Sequence, residues 1–247
     1  DNNMLNFYKL IDRALQDKLT FIADPILDPI SYGFTKSIER YIYLREKYPD
    51  IHIMIGIGNI TELTHADTSG MNMIMLGIVE ELKLNHILTT QVSRHCSTVI
   101  RETDLARRII HAASENNITP KHINNGLLIN HGHKDYAYTS DELSDMKSNI
   151  KDKNYRIYVN DDGVHLFNKT IYKVFSDPYD FYEFLEVDED SGHSFYLGVE
   201  LARAQIAYQL RKEYSQDEEL DWGCLIDKKA DNKLQSKELG PTFKKRK

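Results

Sequence analysis

From Phe21 to Asn116 the chain alternates short apolar runs with longer stretches of helical period. Phe21 to Ala23 reads as the start of a buried strand, and Ser37 to Tyr48 as a helix with Ile38, Tyr41, Ile42 and Arg45 on one side. "IHIMIGI", Ile51 to Ile57, predicts a second strand, followed by a polar loop and the helical run "TSGMNMIMLGIVEEL". "HILTTQV" then predicts a third strand and "ETDLARRIIHAASENN" a helix that turns Leu105, Ile109 and Ala112 or Ala113 inward and Arg101, Arg107 and Arg108 to water. Strands and helices in this alternation imply a parallel sheet with right-handed crossovers.

The texture changes after Asn116. The stretch "ITPKHINNGLLINHGHKDYAYTSDELSDMKSNIKDKN" is polar apart from "GLLI" and reads as a connector. Beyond it, "YRIYVN" and "GVHLFN" alternate about "DDG" as a hairpin, and "TIYKVF" supplies a third strand. "DPYDFYEFL" starts a helix with Asp177 as cap and Pro178 in its first turn, and "SFYLGVELARAQIAYQLRKEY" repeats Leu197, Leu201, Ala204 and Tyr208 at helical spacing. The organisation expected is an α/β domain over residues 1–120, a connector over 121–153, a small α+β domain over 154–226 and a polar basic tail over 227–247.

Composition narrows the classes. With 41% apolar and 28% charged residues the 247-residue chain suits a globular protein, and a net charge of -7 argues against a nonspecific nucleic-acid binder, whose surface must displace phosphate counterions. The terminal "FKKRK" reads as a solvated end. Two cysteines, Cys96 and Cys224, build neither a disulfide scaffold nor a cysteine-rich metal site. No apolar run approaches the ~20 residues that cross a bilayer, so the expectation is a cytoplasmic protein without membrane partners. Met71, Met73 and Met75 read as core filling, the "HGH" pair His131 and His133 lacks further ligands at a diagnostic spacing, and no metal site is expected. Walker and dinucleotide-binding fingerprints are absent.

The candidate chemistry sits where strands end. Asp24 and Asp28, each followed by proline, close the first strand; Gly56, Gly58 and Asn59 close the second, with Glu62, His65 and Asp67 beyond; "TTQVSRH" closes the third. In parallel α/β folds this edge opens on the ligand crevice. A carboxylate there can accept a ring N–H and an exocyclic amine together, and Asn59 can meet a ring nitrogen or carbonyl, which suits a heterocycle with an amidine-like edge.

"ADPILDPISYGFTKSIERYIYLR", "MIGIGNITELTHADTSGMNMIMLGIVEEL" and "HILTTQVSRH" together resemble the later strand units of the pterin-binding barrel superfamily. The likeness is to dihydropteroate-synthase-related proteins of the tetrahydromethanopterin branch. It covers roughly residues 15–115, and "SGHSFYLGVELARAQIAYQLRKEYSQDEELDWG" resembles that branch's C-terminal extension. The resemblance implies the later portion of a (β/α)8 TIM-like barrel followed by a small α+β domain. By its "DPI" context Asp24 matches the family's pterin-anchoring aspartate, with Asp28 as the alternative. Asn59 matches the asparagine of a "GxSN" turn in pterin methyltransferases, where ordinary synthases carry "SRK". The synthases' "RVHD" element is also missing, and Arg94 and His95 stand a few residues beyond its place.

The resemblance implies a transferase joining a dihydropterin methyl pyrophosphate to an arylamine, in tetrahydromethanopterin or folate-like biosynthesis. Asp24, Asp28, Asn59, Glu62, Asp67 and His95 would bind substrate, Lys36 and Arg94 would stabilise the departing pyrophosphate, and Mg2+ would accompany that pyrophosphate. The alternatives are a noncatalytic pterin-binding or assembly module and, further off, a pterin-dependent methyltransferase component. Eight β/α units need about 250 residues, and only three or four fit here. A missing N-terminal barrel segment, a partner chain or a homo-oligomer is therefore expected to complete the sheet.

Overall fold

The computed structural model describes residues 2–187 and 190–227, and the chain divides into two compact units, Asp1–Leu127 and Leu128–Lys247. The "FKKRK" tail lies outside the described residues.

The first unit runs α1 (Asn2–Gln16), β1 (Ile22–Ala23), α2 (Phe34–Lys47), β2 (His52–Gly56), a single turn α3 (Gly58–Thr61), α4 (Thr68–Glu81), β3 (His86–Leu88) and α5 (Val99–Glu115). Its strands are parallel in the order β1-β2-β3, with Ala23 opposite Ile53 and Ile55 opposite Ile87. Two departures from the sequence reading stand out. The first strand is two residues long, because the backbone leaves the ladder at Asp24, and the loop after Ile57 coils into α3.

The strand alternation decides which face is covered. Ile51, Ile53, Ile55 and Ile57 are buried against Tyr41 and Leu44 of α2 and Met75 and Leu76 of α4. The intervening positions belong to the other face, which stays open: Ile22 is 49% and Leu88 53% exposed, beside Met54 and the exposed His52. Helix α2 buries Ser37, Tyr41 and Leu44 at three- and four-residue spacing, and it stops at Tyr48 because Pro49 disfavours the helical conformation of the residue before it. Arg45 then binds this corner together, donating to the carbonyls of Leu82, Lys83, Tyr48, Pro49 and Ile51 and to Asn85 Oδ1.

Helices α4 and α5 meet through a buried carboxylate. Glu102, 1% exposed, accepts from Thr68 Oγ1 at 2.7 Å, Asn72 Nδ2 at 2.9 Å and Thr98 Oγ1 at 2.7 Å. Three donors compensate a charge that would otherwise cost several kcal/mol to bury. Ala106, Ile109 and Ala113 form the buried side of α5, while Arg107 and Arg108 pair with Asp104 at its surface.

The second unit holds α6 (Ser140–Ser148), the antiparallel strands β4 (Arg156–Asn160), β5 (Gly163–Phe167) and β6 (Tyr172–Phe175) in that order, and α7 (Ser191–Leu210). Helix α6 lies in the stretch read as a connector. Its start is a capping box, in which Thr139 and Glu142 satisfy each other's backbone amides. The expected hairpin forms about Asp161 and Asp162, and Gly163 takes a positive φ of 146° beneath Phe175 O, where a side chain would crowd the next strand. Ile157, Val159, Val164 and Leu166 pack on Leu197, Leu201, Ala204 and Ala207 of α7. The helix expected from Asp177 is the 3-10 turn Pro178–Phe184, capped as anticipated by the Asp177 carboxylate on Tyr179 N.

Behind the sheet His165 is fully enclosed. Its Nε2 lies 2.6 Å from Asn160 Oδ1 and its Nδ1 2.9 Å from Tyr172 OH. Asn160 Oδ1 also accepts from Asp162 N while its amide donates to Ser140 Oγ, so Nε2 carries the imidazole proton and Tyr172 donates to Nδ1.

Among the described residues no helix is long and apolar enough to cross a membrane.

Candidate active site

The C-terminal ends of β1, β2 and β3 bring most of the expected site residues to one rim. Asp24 follows β1 directly. Its Oδ1 accepts from Ile26 N at 2.9 Å and Tyr41 OH at 3.2 Å, which leaves Oδ2 without a hydrogen bond among the described residues. Burial first, and the Asp24 charge second, push the Tyr41 phenol far above its ordinary pKa, so it stays a donor.

The loop over residues 24–33 is held against its own backbone preference. Ile26, β-branched and 59% exposed, has φ 64°, a conformation costing roughly 1–2 kcal/mol for such a residue. Arg40 of α2 offsets this by donating to Pro25 O at 3.1 Å, Ile26 O at 2.6 Å and Asp28 Oδ2 at 2.7 Å. Asp28 is therefore an ion-pair partner of the loop. Gly33, at φ 114°, leaves room for it, since a Cβ there would stand 3.1 Å from Asp28 Oδ2.

Asn59 spans the first two strand ends. Its Nδ2 donates to Leu27 O at 2.7 Å, while its amide oxygen has no hydrogen bond among the described residues. Gly58 lets the third strand end approach, because a Cβ would lie 3.2 Å from Thr90 Oγ1.

Glu62 joins the second and third ends through groups already committed. Oε1 accepts from Thr90 Oγ1 and Val92 N, and Oε2 from Ser93 N. These donors, Val92 N foremost, pull its pKa down to about 2. Glu62 thus shapes the loop after β3. His95 Nε2 donates to Thr61 O at 3.0 Å and its ring meets that of His65 edge-on at 5.5 Å; Cys96 shares the Thr61 carbonyl, and burial raises its thiol to about 11.

The remaining candidates divide. Arg94, in the 3-10 turn Arg94–Cys96, is exposed on the third strand's loop and makes no ion pair among the described residues. Asp67 is exposed at the N-cap position of α4. Lys36, in the first turn of α2, lines a shallow hollow with Tyr8, Glu39, Tyr43 and Glu46, which includes no strand end. Sequence reasoning missed Arg40 and Tyr41, the two residues that position the aspartates. Their signal was helical spacing from Gly33, which places them in the first turns of α2 facing back to β1.

Among the described residues no three His, Cys, Asp or Glu side chains form a cluster able to hold a metal ion.

No family model matches the chain, and no solved structure matches it. An uncharacterized protein of Methanocaldococcus jannaschii is 30% identical over 241 residues, a match covering 87% of this chain and 45% of the relative. The chain thus spans less than half of that relative's length.

Proposed function

We propose that the rim binds a reduced pterin and belongs to a transferase that joins a dihydropterin methyl pyrophosphate to an arylamine. The observation that carries the reading is the juxtaposition of Asp24, with one free carboxylate oxygen, and Asn59, with a free amide oxygen, at neighbouring parallel strand ends. The Asp24 carboxylate accepts the ring N–H and exocyclic amine, and the Asn59 amide meets the remaining polar edge. Asp24 suits this role better than Asp28, whose charge is spent on Arg40.

Strand order supports the same reading. A sheet running β1-β2-β3 in chain order, with helices between, fits a (β/α) barrel arc, a pattern it shares with one half of a doubly wound sheet. The open face and two open edges are then the inner wall and seams, completed by further β/α units of a longer polypeptide, a partner chain or a second copy. In the reaction the arylamine nitrogen forms a bond to the pterin methylene carbon as the carbon-oxygen bond to pyrophosphate breaks, and the nitrogen loses its proton. Arg94, uncommitted and on the third strand's loop, is the side chain to stabilise the departing pyrophosphate, with any Mg2+ brought by the substrate. Alignment and charge stabilisation carry the rate, with no covalent protein nucleophile.

A second reading, a noncatalytic pterin-binding module, is favoured by how many rim groups already pair internally, Asp28 and Glu62 above all. Calorimetric titration with a reduced pterin, followed by product assays with dihydropterin methyl pyrophosphate and arylamines, separates the two. Binding with turnover, in this chain or in a longer polypeptide containing it, supports the transferase. Binding without turnover in either supports the module, and no binding in either removes both.

A further inference from the structure

The uncovered face of the first unit's sheet carries a second pair of polar side chains, at the opposite end from the rim. His52 opens β2 and His86 opens β3, and their ring nitrogens, His52 Nδ1 and His86 Nε2, stand 3.0 Å apart with the rings 34° from parallel. The parallel register holds them there, since Met54 lies opposite His86 and His52 is the next residue along β2 on the same face. Neither outer nitrogen, His52 Nε2 nor His86 Nδ1, has a hydrogen bond among the described residues, so either tautomer is open to each ring.

We propose that His52 and His86 form a chelating site for a borderline divalent transition ion of the Zn2+, Ni2+ or Cu2+ class. In the structure one imidazole proton fills the space between the two nitrogens. A metal ion takes its place once both rings turn their lone pairs toward a common point. With metal-nitrogen bonds of about 2.1 Å, nitrogens 3.0 Å apart subtend an angle of roughly 90° at the metal, the angle between adjacent ligands in octahedral or square coordination. A small opening of the pair reaches the tetrahedral angle.

Imidazole nitrogen selects this class of ion over Mg2+ and Ca2+, which prefer oxygen. The thioether of Met54 occupies the adjacent same-face position, and a softer ion such as Cu(I) would be able to recruit it. Water, or whatever covers this face, supplies the remaining positions. The absence of any three-residue His, Cys, Asp or Glu cluster among the described residues makes this a two-histidine site. Lying about five residues from the rim along β2, roughly 15 Å, it stands or falls separately from the pterin reading.

The test uses the full chain in a His131→Asn, His133→Asn background, which removes the "HGH" pair. Titration calorimetry with Ni2+ and Zn2+ should give one equivalent bound, with Mg2+ silent. His52→Asn and His86→Asn should each weaken binding at least ~10-fold, and the double variant should fall no further, because one imidazole leaves no chelate. Circular dichroism checks that the variants fold. Should either fail to, the electron paramagnetic resonance spectrum of one equivalent of Cu2+ on the background protein decides the matter: coupling to two imidazole nitrogens is expected. Unchanged affinity in either folded single variant, or a Cu2+ spectrum without two coupled nitrogens, overturns the proposal.

Discussion

Asp24→Asn is the most informative substitution in the rim, because the geometry separates its structural role from its proposed ligand role. Both internal hydrogen bonds, from Ile26 N and Tyr41 OH, end on Oδ1, which an asparagine oxygen reproduces. The fold should therefore lose only the charge enhancement of two bonds, about 1 kcal/mol between them. The free Oδ2, by contrast, becomes an NH2 group facing a donor edge. A charged contact through Oδ2 is lost and a donor-donor clash introduced, together about 1.5–3 kcal/mol, or roughly 10- to 150-fold in affinity. Calorimetry with a reduced pterin reads the second quantity and urea unfolding the first. If the variant binds as tightly as the parent, Asp24 is not the anchor. If only Asp28→Asn weakens binding, the anchor lies at the far end of the strained loop, and Arg40 must release it on binding.

Three further outcomes follow from packing and protonation. Arg45→Lys should destabilise the first unit by about 2–3 kcal/mol in urea unfolding, since one ammonium cannot reach the five carbonyls and one amide oxygen that the guanidinium spans. Gly132→Ala should cost about 1–3 kcal/mol in the second unit, because a Cβ would stand 2.3 Å from Arg211 O and something must shift; an unchanged melting temperature would refute that contact. Burial lowers the His165 pKa below its ordinary 6.5, so the unfolded chain takes up a proton that the folded chain refuses. Stability is thus complete above pH 6.5 and falls with pH by about 1.4 kcal/mol per unit until the folded-state pKa is passed. His165→Gln should flatten that slope in urea titrations between pH 7 and 5, and equal slopes would show that His165 is not its source.

The sequence by itself determined the alternation of elements, because it depends on local periodicity: Ile51, Ile53, Ile55 and Ile57 on one side of a strand, and Leu197, Leu201 and Ala204 along one side of a helix, are visible without a fold. It placed the polar groups at strand ends for the same reason, and the capping box at Thr139 and Glu142 was equally readable, though obscured by the polar stretch around it. What each polar group does there was decided only by tertiary structure. Asp24 and Asp28 look alike in "DPILDP", yet one keeps a free oxygen and the other is neutralised, because Arg40 and Tyr41 reach back from a helix beginning ten residues later. Glu62 reads as a free carboxylate until the loop after β3 folds its amides onto it. His52 and His86 are separated by 34 positions, and only the parallel register of β2 and β3 sets their rings in contact. Hydrogen bonds and charges act over a few ångströms of space, so their partners are set by strand register and helix docking, which local periodicity does not encode.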